Sequence, residues 1–230
     1  MIYLGLDLGQ SQDPSALAIV ERLKPAHPHR NPPSWQLTYA AKPAKSAIDP
    51  EPLIVRHVER MELDTRYSDV AKRVAAVALS PLAQGRKTLA VDATGVGMPV
   101  VEMLLALQMG CEIRPVVITG GLGQSNTGPM WHVAKVDLLC GLREAVETGE
   151  LRVPRGLQQV DRLVQELMSV KIGKRPSGQD RVGADGCGEH DDMVIALALA
   201  SWAARAGRPG RQDRPGGKPW APPPGNRLFW

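Results

Sequence analysis

Ile2-Tyr3-Leu4-Gly5-Leu6-Asp7-Leu8 is an apolar run interrupted by one glycine and one carboxylate. A continuous apolar stretch of this length, followed by turn residues, reads as a strand buried on both faces. A carboxylate inside it is costly unless its charge is paired or bound to a cation. For one residue alone, a salt bridge or a turn cap explains Asp7 as well as a functional role does. The reading therefore depends on what the rest of the chain brings to it.

Outward from this run, residues 15–22 read as a second strand, joined through a Gly9–Pro14 turn rich in Gln, Ser and Asp. Residues 24–33 hold four prolines and two histidines and read as a loop, and residues 35–41 as a third strand completing an antiparallel meander. The period then changes. Val70, Val74, Val77 and Ala78 recur at helical spacing, predicting a helix from Tyr67 to about Leu79 with Ser68 as N-cap and an end imposed by Pro81. Thr88–Val91 is a short buried strand ending at Asp92. Gly95, Gly97 and Pro99 turn into a helix reaching about Met109. Ile113–Ile118 is a further strand, and residues 119–130 form a glycine-rich loop, either a flap or a plain connector, anchored by Trp131 and His132. Helices at 133–147 and 157–170 flank a short strand at 151–153. Residues 171–188 suggest a hairpin, and a last helix covers 191–204. Three strands followed by alternating helix and strand predict an α/β fold: a mixed sheet, antiparallel meander plus parallel strands, with flanking helices. The core body is assigned to residues 1–205. Residues 206–230, rich in Pro, Gly and Arg, read as a disordered or partner-bound tail.

Composition narrows the function classes. The 230 residues suffice for one sizeable domain, and with aromatics at 4% the core must rest on Leu, Val, Ala, Ile and Met. Three cysteines, odd in number and without a C-x-x-C pair, argue against a disulfide framework or structural zinc and for a reducing compartment. Met1 leads straight into the first strand, so no signal peptide is expected. The longest mainly apolar run, Met193–Ala204, has 12 residues, too few to cross a bilayer. The net charge of +4 is concentrated in the tail, where Arg208, Arg211, Arg214, Lys218 and Arg227 face only Asp213. Overall basicity is therefore a weak argument for nucleic acid.

Three acidic stations stand at element ends: Asp7, Asp92, and the Asp191-Asp192 pair that opens the last helix. Asp92 alone reads as a turn residue, and Asp191-Asp192 as helix-capping charges. Together they favour a shared site, because hard divalent cations want clustered oxygen ligands. Such a cluster supports phosphodiester hydrolysis by two Mg²⁺ or Mn²⁺ ions about 3.5–4 Å apart, without a nucleophilic Ser or Cys. Lys171, Lys174, Arg175 and Arg181 flank a glycine-rich turn just before the last helix and are candidates for DNA phosphate contact. His190 abuts the acidic pair, where a packing or capping role is favoured over proton transfer. Glu102 and Asp137 read as helix-surface charges.

The residues quoted resemble the nuclease part of viral terminase large subunits. Leu6-Asp7-Leu8-Gly9 through Asp13-Pro14-Ser15-Ala16 looks like that family's first motif, Val91-Asp92-Ala93-Thr94-Gly95-Val96-Gly97 like its second, and His190-Asp191-Asp192-Met193-Val194 with Ala196-Leu197-Ala198 like its third. Lys135-Val136-Asp137-Leu138 through Gly149–Pro154 resembles the helix-then-strand segment between them. The resemblance implies an RNase H-like fold, two divalent ions (Mg²⁺ or Mn²⁺) and cleavage of double-stranded DNA with little sequence preference. It implies metal ligation by Asp7, Asp92 and one or both of Asp191 and Asp192, with Asp7 bridging. It also implies host cytoplasm as the setting, no membrane, and partners such as a separate packaging ATPase, a small terminase subunit or a portal. The chain departs from the family in one respect: it has no G-x-x-x-x-G-K-[ST], so it reads as an excised domain, a split subunit or a nuclease working alone. Two rival readings share features with it. A Holliday-junction resolvase would use the same fold and metals. A sugar-kinase or actin-like ATPase would use Leu6-Asp7-Leu8-Gly9-Gln10-Ser11 as a phosphate turn. A non-catalytic assembly module is disfavoured by the three intact acidic stations.

Overall fold

The structure, a computed structural model, describes residues 1–9, 13–23, 51–95, 97–174, 180–184 and 190–206, with backbone alone for 171–174 and 180–184. Ten strands and five helices alternate among these residues. They are β1 (Ile2–Asp7), β2 (Ala16–Arg22), β3 (Leu53–Arg60), α1 (Tyr67–Ala78), β4 (Lys87–Asp92), α2 (Gly97–Ala106), β5 (Cys111–Thr119), β6 (Gln124–Thr127), β7 (Met130–Ala134), α3 (Lys135–Glu147), β8 (Leu151–Arg152), α4 (Val160–Ser169), β9 (Val170–Lys174), β10 (Asp180–Ala184) and α5 (Asp192–Ala206). Eight of the strands form one sheet in the order β6-β7-β5-β4-β1-β2-β3-β8. β1 to β3 are an antiparallel meander, and β1, β4, β5 and β7 run parallel. This is the predicted mixed sheet. Its parallel centre is covered on both faces, as parallel strands require.

The period-2 alternation of β1 decides what each face receives. Ile2, Leu4 and Leu6 enter the layer under α1 and α2. Tyr3 enters the opposite layer with α3, α4 and α5. Leu4 and Leu6 are fully buried, each contributing about 1.5–3 kcal/mol of apolar burial. Gly5 shares the face of Tyr3, and α5 lies directly on it. A Cβ built at Gly5 would stand 2.0 Å from the Ala196 carbonyl oxygen and 2.6 Å from the Ala200 nitrogen. α5 is buried nearly all round, which explains why its run carries no polar stripe. Its alanines and the missing side chain at Gly5 set its closeness to the sheet.

Several local expectations are corrected. The third meander strand is Leu53–Arg60, paired with β2; residues 35–41 lie outside the described residues. Ser68 is not the cap of α1, because Arg66 holds the N-cap position and gives no side-chain bond. The 119–130 segment is not a plain loop: β6 and β7 form a hairpin closed at Gly128-Pro129 and hold the sheet edge. α3 accordingly starts at Lys135, because residues 130–134 belong to β7. The hairpin expected in 171–188 is present as β9 paired antiparallel with β10. From Gly207 on, the tail lies outside the described residues. No helix among the described residues is long and apolar enough to cross a membrane.

Candidate metal centre

Asp7 and Asp92 end neighbouring parallel strands. Leu6 is in register with Val91, so the next residues of both strands stand side by side. Alternation turns both carboxylates to one face. Asp7 follows Tyr3 and Gly5 by even steps, and Asp92 follows Ala90, which lies in the α5 layer. The two carboxyls stand close enough for the charge of Asp92 to act directly on Asp7. Asp92 Oδ1 also accepts from the Thr94 backbone nitrogen at 2.8 Å, a local turn that fixes its rotamer. The Thr94 hydroxyl in turn accepts from the Ile118 nitrogen, tying the turn to β5. Two motif glycines are steric requirements of this geometry. A Cβ at Gly9 would sit 1.9 Å from the Asp13 carbonyl oxygen, and one at Gly97 would sit 2.6 Å from that of Asp92.

The third station arrives from above. α5 crosses β1 with Ala196 and Ala200 over Gly5, and Asp192 acts electrostatically on Asp7. Asp192, one helical turn before Ala196, therefore comes over the strand end that carries Asp7. Asp191 Oδ2 accepts from Lys135 Nζ at 2.6 Å. Asp192 is buried, and its Oδ2 finds no hydrogen-bond partner among the described residues. Arg60 Nε lies 3.4 Å from that oxygen, within ion-pair range but without hydrogen-bond alignment. His190 Nδ1 stands 3.6 Å from the same oxygen and 3.5 Å from Asp13 Oδ1. Asp13, His190 and Asp192 thus offer ligand atoms all within 4.8 Å of one another.

A buried ion pair holds this arrangement. Glu166 on α4 pairs with the Arg60 guanidinium and accepts from the Met193 and Val194 nitrogens at 3.0 and 3.4 Å. It thereby caps the free N–H groups at the start of α5, where the helix dipole favours negative charge. One side chain fixes both the helix start that carries Asp192 and the arginine beside it.

The electrostatics are those of crowded, poorly solvated carboxylates. Burial pushes Asp7 well above its ordinary value, and the charges of Asp92, Asp192 and Asp191 add to the shift, while Lys135 opposes it. Asp92 is raised by burial against the hydrogen bonds from Thr94. Burial lifts Asp192 to about 6, partly offset by Arg60 and His190. Glu166 is lifted to about 7 by burial, again against Arg60. Like charges gathered this closely repel unless protonated or neutralised by a cation. The donor set is oxygen-rich with one imidazole, and one buried oxygen is left over. Such a set fits a hard divalent ion.

Of the four carboxylates named from the sequence, Asp92, Asp191 and Asp192 all act electrostatically on Asp7, but among the described residues the ligand atoms within 4.8 Å of one another are those of Asp13, His190 and Asp192, so Asp192 alone of the four belongs to that group. Asp13, Lys135, Arg60 and Glu166 were not singled out from the sequence. Asp13 lay within the quoted first motif, six residues after Asp7, and Lys135 opened the quoted helix segment. Arg60 and Glu166 left no local signal, since their pairing joins β3 to α4 across a long stretch of chain. Asp137 is more than a surface charge: its Oδ2 accepts from the Gly123 nitrogen at 2.5 Å and closes the β5–β6 turn. Trp131 packs edge-to-face on Trp202, centroids 5.3 Å apart, and so pins the β6–β7 hairpin to α5. Lys171 and Lys174 lie on β9 and Arg181 on β10, the hairpin that precedes α5 in the chain. Arg175 lies outside the described residues.

No protein-family model matches the chain, and no curated protein does. Solved structures do. The large terminase nuclease from thermophilic phage G20c with bound magnesium is 23% identical, with 88% of this chain and 80% of that chain covered and a TM-score of 0.56. The large terminase nuclease domain of Thermus phage P74-26 is 22% identical over 87% of this chain and 77% of that one, with a TM-score of 0.51. A manganese-soaked, inhibitor-bound terminase nuclease domain of human cytomegalovirus is 11% identical over 88% of this chain and 82% of that one, with a TM-score of 0.52. At these identities the likeness is one of fold, and the chain has the RNase H-like fold of those nuclease domains.

Proposed function

We propose that this chain is a metal-dependent endonuclease that hydrolyses phosphodiester bonds of double-stranded DNA, as in the nuclease part of a viral DNA-packaging terminase. One observation carries the reading. Carboxylates from β1, β4 and the start of α5 converge, and the buried Asp192 oxygen among them has no hydrogen-bond partner in the described residues. A buried carboxylate oxygen that has charged neighbours but no hydrogen bond costs stability unless something binds it. The similar solved structures include nuclease domains with bound magnesium or soaked with manganese, which supports the same use of the site here.

In this reading Asp7, Asp92, Asp191 and Asp192 would hold two ions, Mg²⁺ or Mn²⁺, with Asp13 and His190 beside Asp192. Such ions, when bound, would supply a water ionised near neutral pH and offset charge on the leaving 3′ oxygen. The chain's own residues supply position. Thr94 locks the Asp92 rotamer. Glu166 and Arg60 fix the start of α5, and Gly5 sets its height over β1. The nuclease body is residues 1–205. Lys171, Lys174, Arg175 and Arg181 would contact phosphates of DNA entering the site. A packaging ATPase, fused or separate, a small terminase subunit or a portal are the partners this function calls for, in a host cytoplasm.

Supercoiled plasmid incubated with the protein and Mn²⁺ or Mg²⁺ should become nicked and then linear, with EDTA stopping the reaction. A preference for four-way junctions over plasmid would move the reading to a resolvase. Intact plasmid together with tight Mg-ATP binding would replace it by the ATPase.

A further inference from the structure

Two cations face the acidic cluster, and they are held in different ways. Arg60 is locked. Its guanidinium pairs with buried Glu166, which is itself bound to the start of α5, and its side chain is mostly covered. Lys135 is tethered at one point. It is the first residue of α3, its side chain keeps 32% of its surface, and the one bond described for its ammonium goes to Asp191 Oδ2 at 2.6 Å. Its charge also reaches Asp7 and Asp92, which it draws toward ionisation. A flexible ammonium that satisfies carboxylate oxygens does, with one charge, part of what a divalent ion would do with two.

We propose that Lys135 is a built-in counter-ion of the site: it occupies Asp191 while no divalent cation is bound, must leave that carboxylate when one enters, and so lowers the affinity of the site for metal. The inference rests on reading the carboxylates as a divalent-cation site.

Three physical points support it. The pair is short and charge-assisted, so Asp191 is not available to a second cation until the bond breaks. An ammonium close to the ions adds direct repulsion even after it swings away. The four-carbon stem of lysine allows that movement at little cost, whereas the rigid, doubly engaged fork of Arg60 does not. Because both Lys135 and Asp191 keep some contact with solvent, screening limits the effect to about tenfold rather than several hundredfold.

The test is calorimetric titration of Mn²⁺ into the whole protein without DNA, for the wild type, Lys135→Met and Lys135→Arg. Lys135→Met should bind Mn²⁺ about tenfold more tightly, and Lys135→Arg close to the wild-type value. In thermal melts at neutral pH, metal-free Lys135→Met should unfold at a lower temperature than wild type, yet gain more from saturating Mn²⁺. Lys135→Gln, polar and uncharged, should repeat the Met result if the apolar side chain disturbs folding. Equal or weaker Mn²⁺ binding in both uncharged variants would overturn the counter-ion role while leaving the metal site standing. A wild type that binds no Mn²⁺ at millimolar concentration would remove the metal site itself, and the inference with it.

Discussion

Asp7→Asn should abolish DNA cleavage while making the metal-free protein harder to unfold. Asparagine keeps the shape of Asp7 but removes a negative charge from the most crowded position. The carboxyl of Asp7 is raised far above its ordinary value by burial and by three neighbouring aspartates. A carboxyl whose folded pKa is raised favours the protonated state in the fold. Its contribution is fully present below the unfolded value and is lost as pH rises through the folded one. Asp192, raised to about 6, and Glu166, raised to about 7, follow the same sign. Metal-free wild type should therefore be more stable near pH 5 than near pH 8, with the loss falling mainly between pH 4 and 7. At pH 8 Asp7→Asn should raise the melting temperature by at least about 3 °C, which is roughly 1 kcal/mol for a chain of this size. Cleavage should fall at least about 10³-fold, the loss of some 4 kcal/mol of transition-state stabilisation. Saturating Mn²⁺ should stabilise wild type more at pH 8 than at pH 5.5, and should stabilise Asp7→Asn little at either pH. Melting curves with and without Mn²⁺ at the two pH values, together with plasmid gels, check all of this. A variant less stable than wild type at pH 8, or one that cuts normally, would contradict it.

Gly5→Val should be the most damaging single change outside the site. The added Cβ would lie 2.0 Å from the Ala196 carbonyl oxygen and 2.6 Å from the Ala200 nitrogen, both backbone atoms of a buried helix. Neither can rotate away as a side-chain tip would. α5 must lift from β1, which breaks contacts along the apolar layer it shares with α3 and α4 and carries Asp191 and Asp192 away from Asp7. Overpacking ordinarily costs about 1–3 kcal/mol, and a backbone clash at the centre of a domain belongs at or beyond the upper end. Denaturant titration should show a loss of at least about 3 kcal/mol, or no folded protein at all. Gly5→Ala tests the same point with less volume, and should already shift the midpoint downward. A fully stable Gly5→Ala protein would show that α5 does not depend on this crossing.

How far the site could be read in advance depended on whether its logic was local. Asp7 and Asp92 were legible because each closes an apolar run, and Asp191-Asp192 because it opens one. Strand alternation then turned the first two to the same face. The use of Gly5 was hidden, because it appears only when a helix nearly two hundred residues later in the chain crosses it. Arg60 and Glu166 were hidden for the same reason: the value of each lies in a partner far away in sequence. The meander was legible but its third strand was misplaced. Residues 35–41 carry strand-forming residues closer to β2, whereas Leu53–Arg60 alternates cleanly only in part and pairs with a bulge near Ile19. The β6–β7 hairpin escaped notice because Gln124–Thr127 is polar and exposed throughout, so it has no apolar alternation to detect. Its one cue was Gly128-Pro129, two turn residues between segments that could pair.

The central claim is that carboxylates from three distant segments share divalent ions. Anomalous diffraction from crystals soaked in Mn²⁺ tests it directly. Two peaks about 3.5–4 Å apart, both touching Asp7, with Asp92 on one and Asp191 or Asp192 on the other, are the expected result. Crystals soaked at neutral pH that show no peak between β1, β4 and the start of α5, or that place manganese only elsewhere, would contradict it.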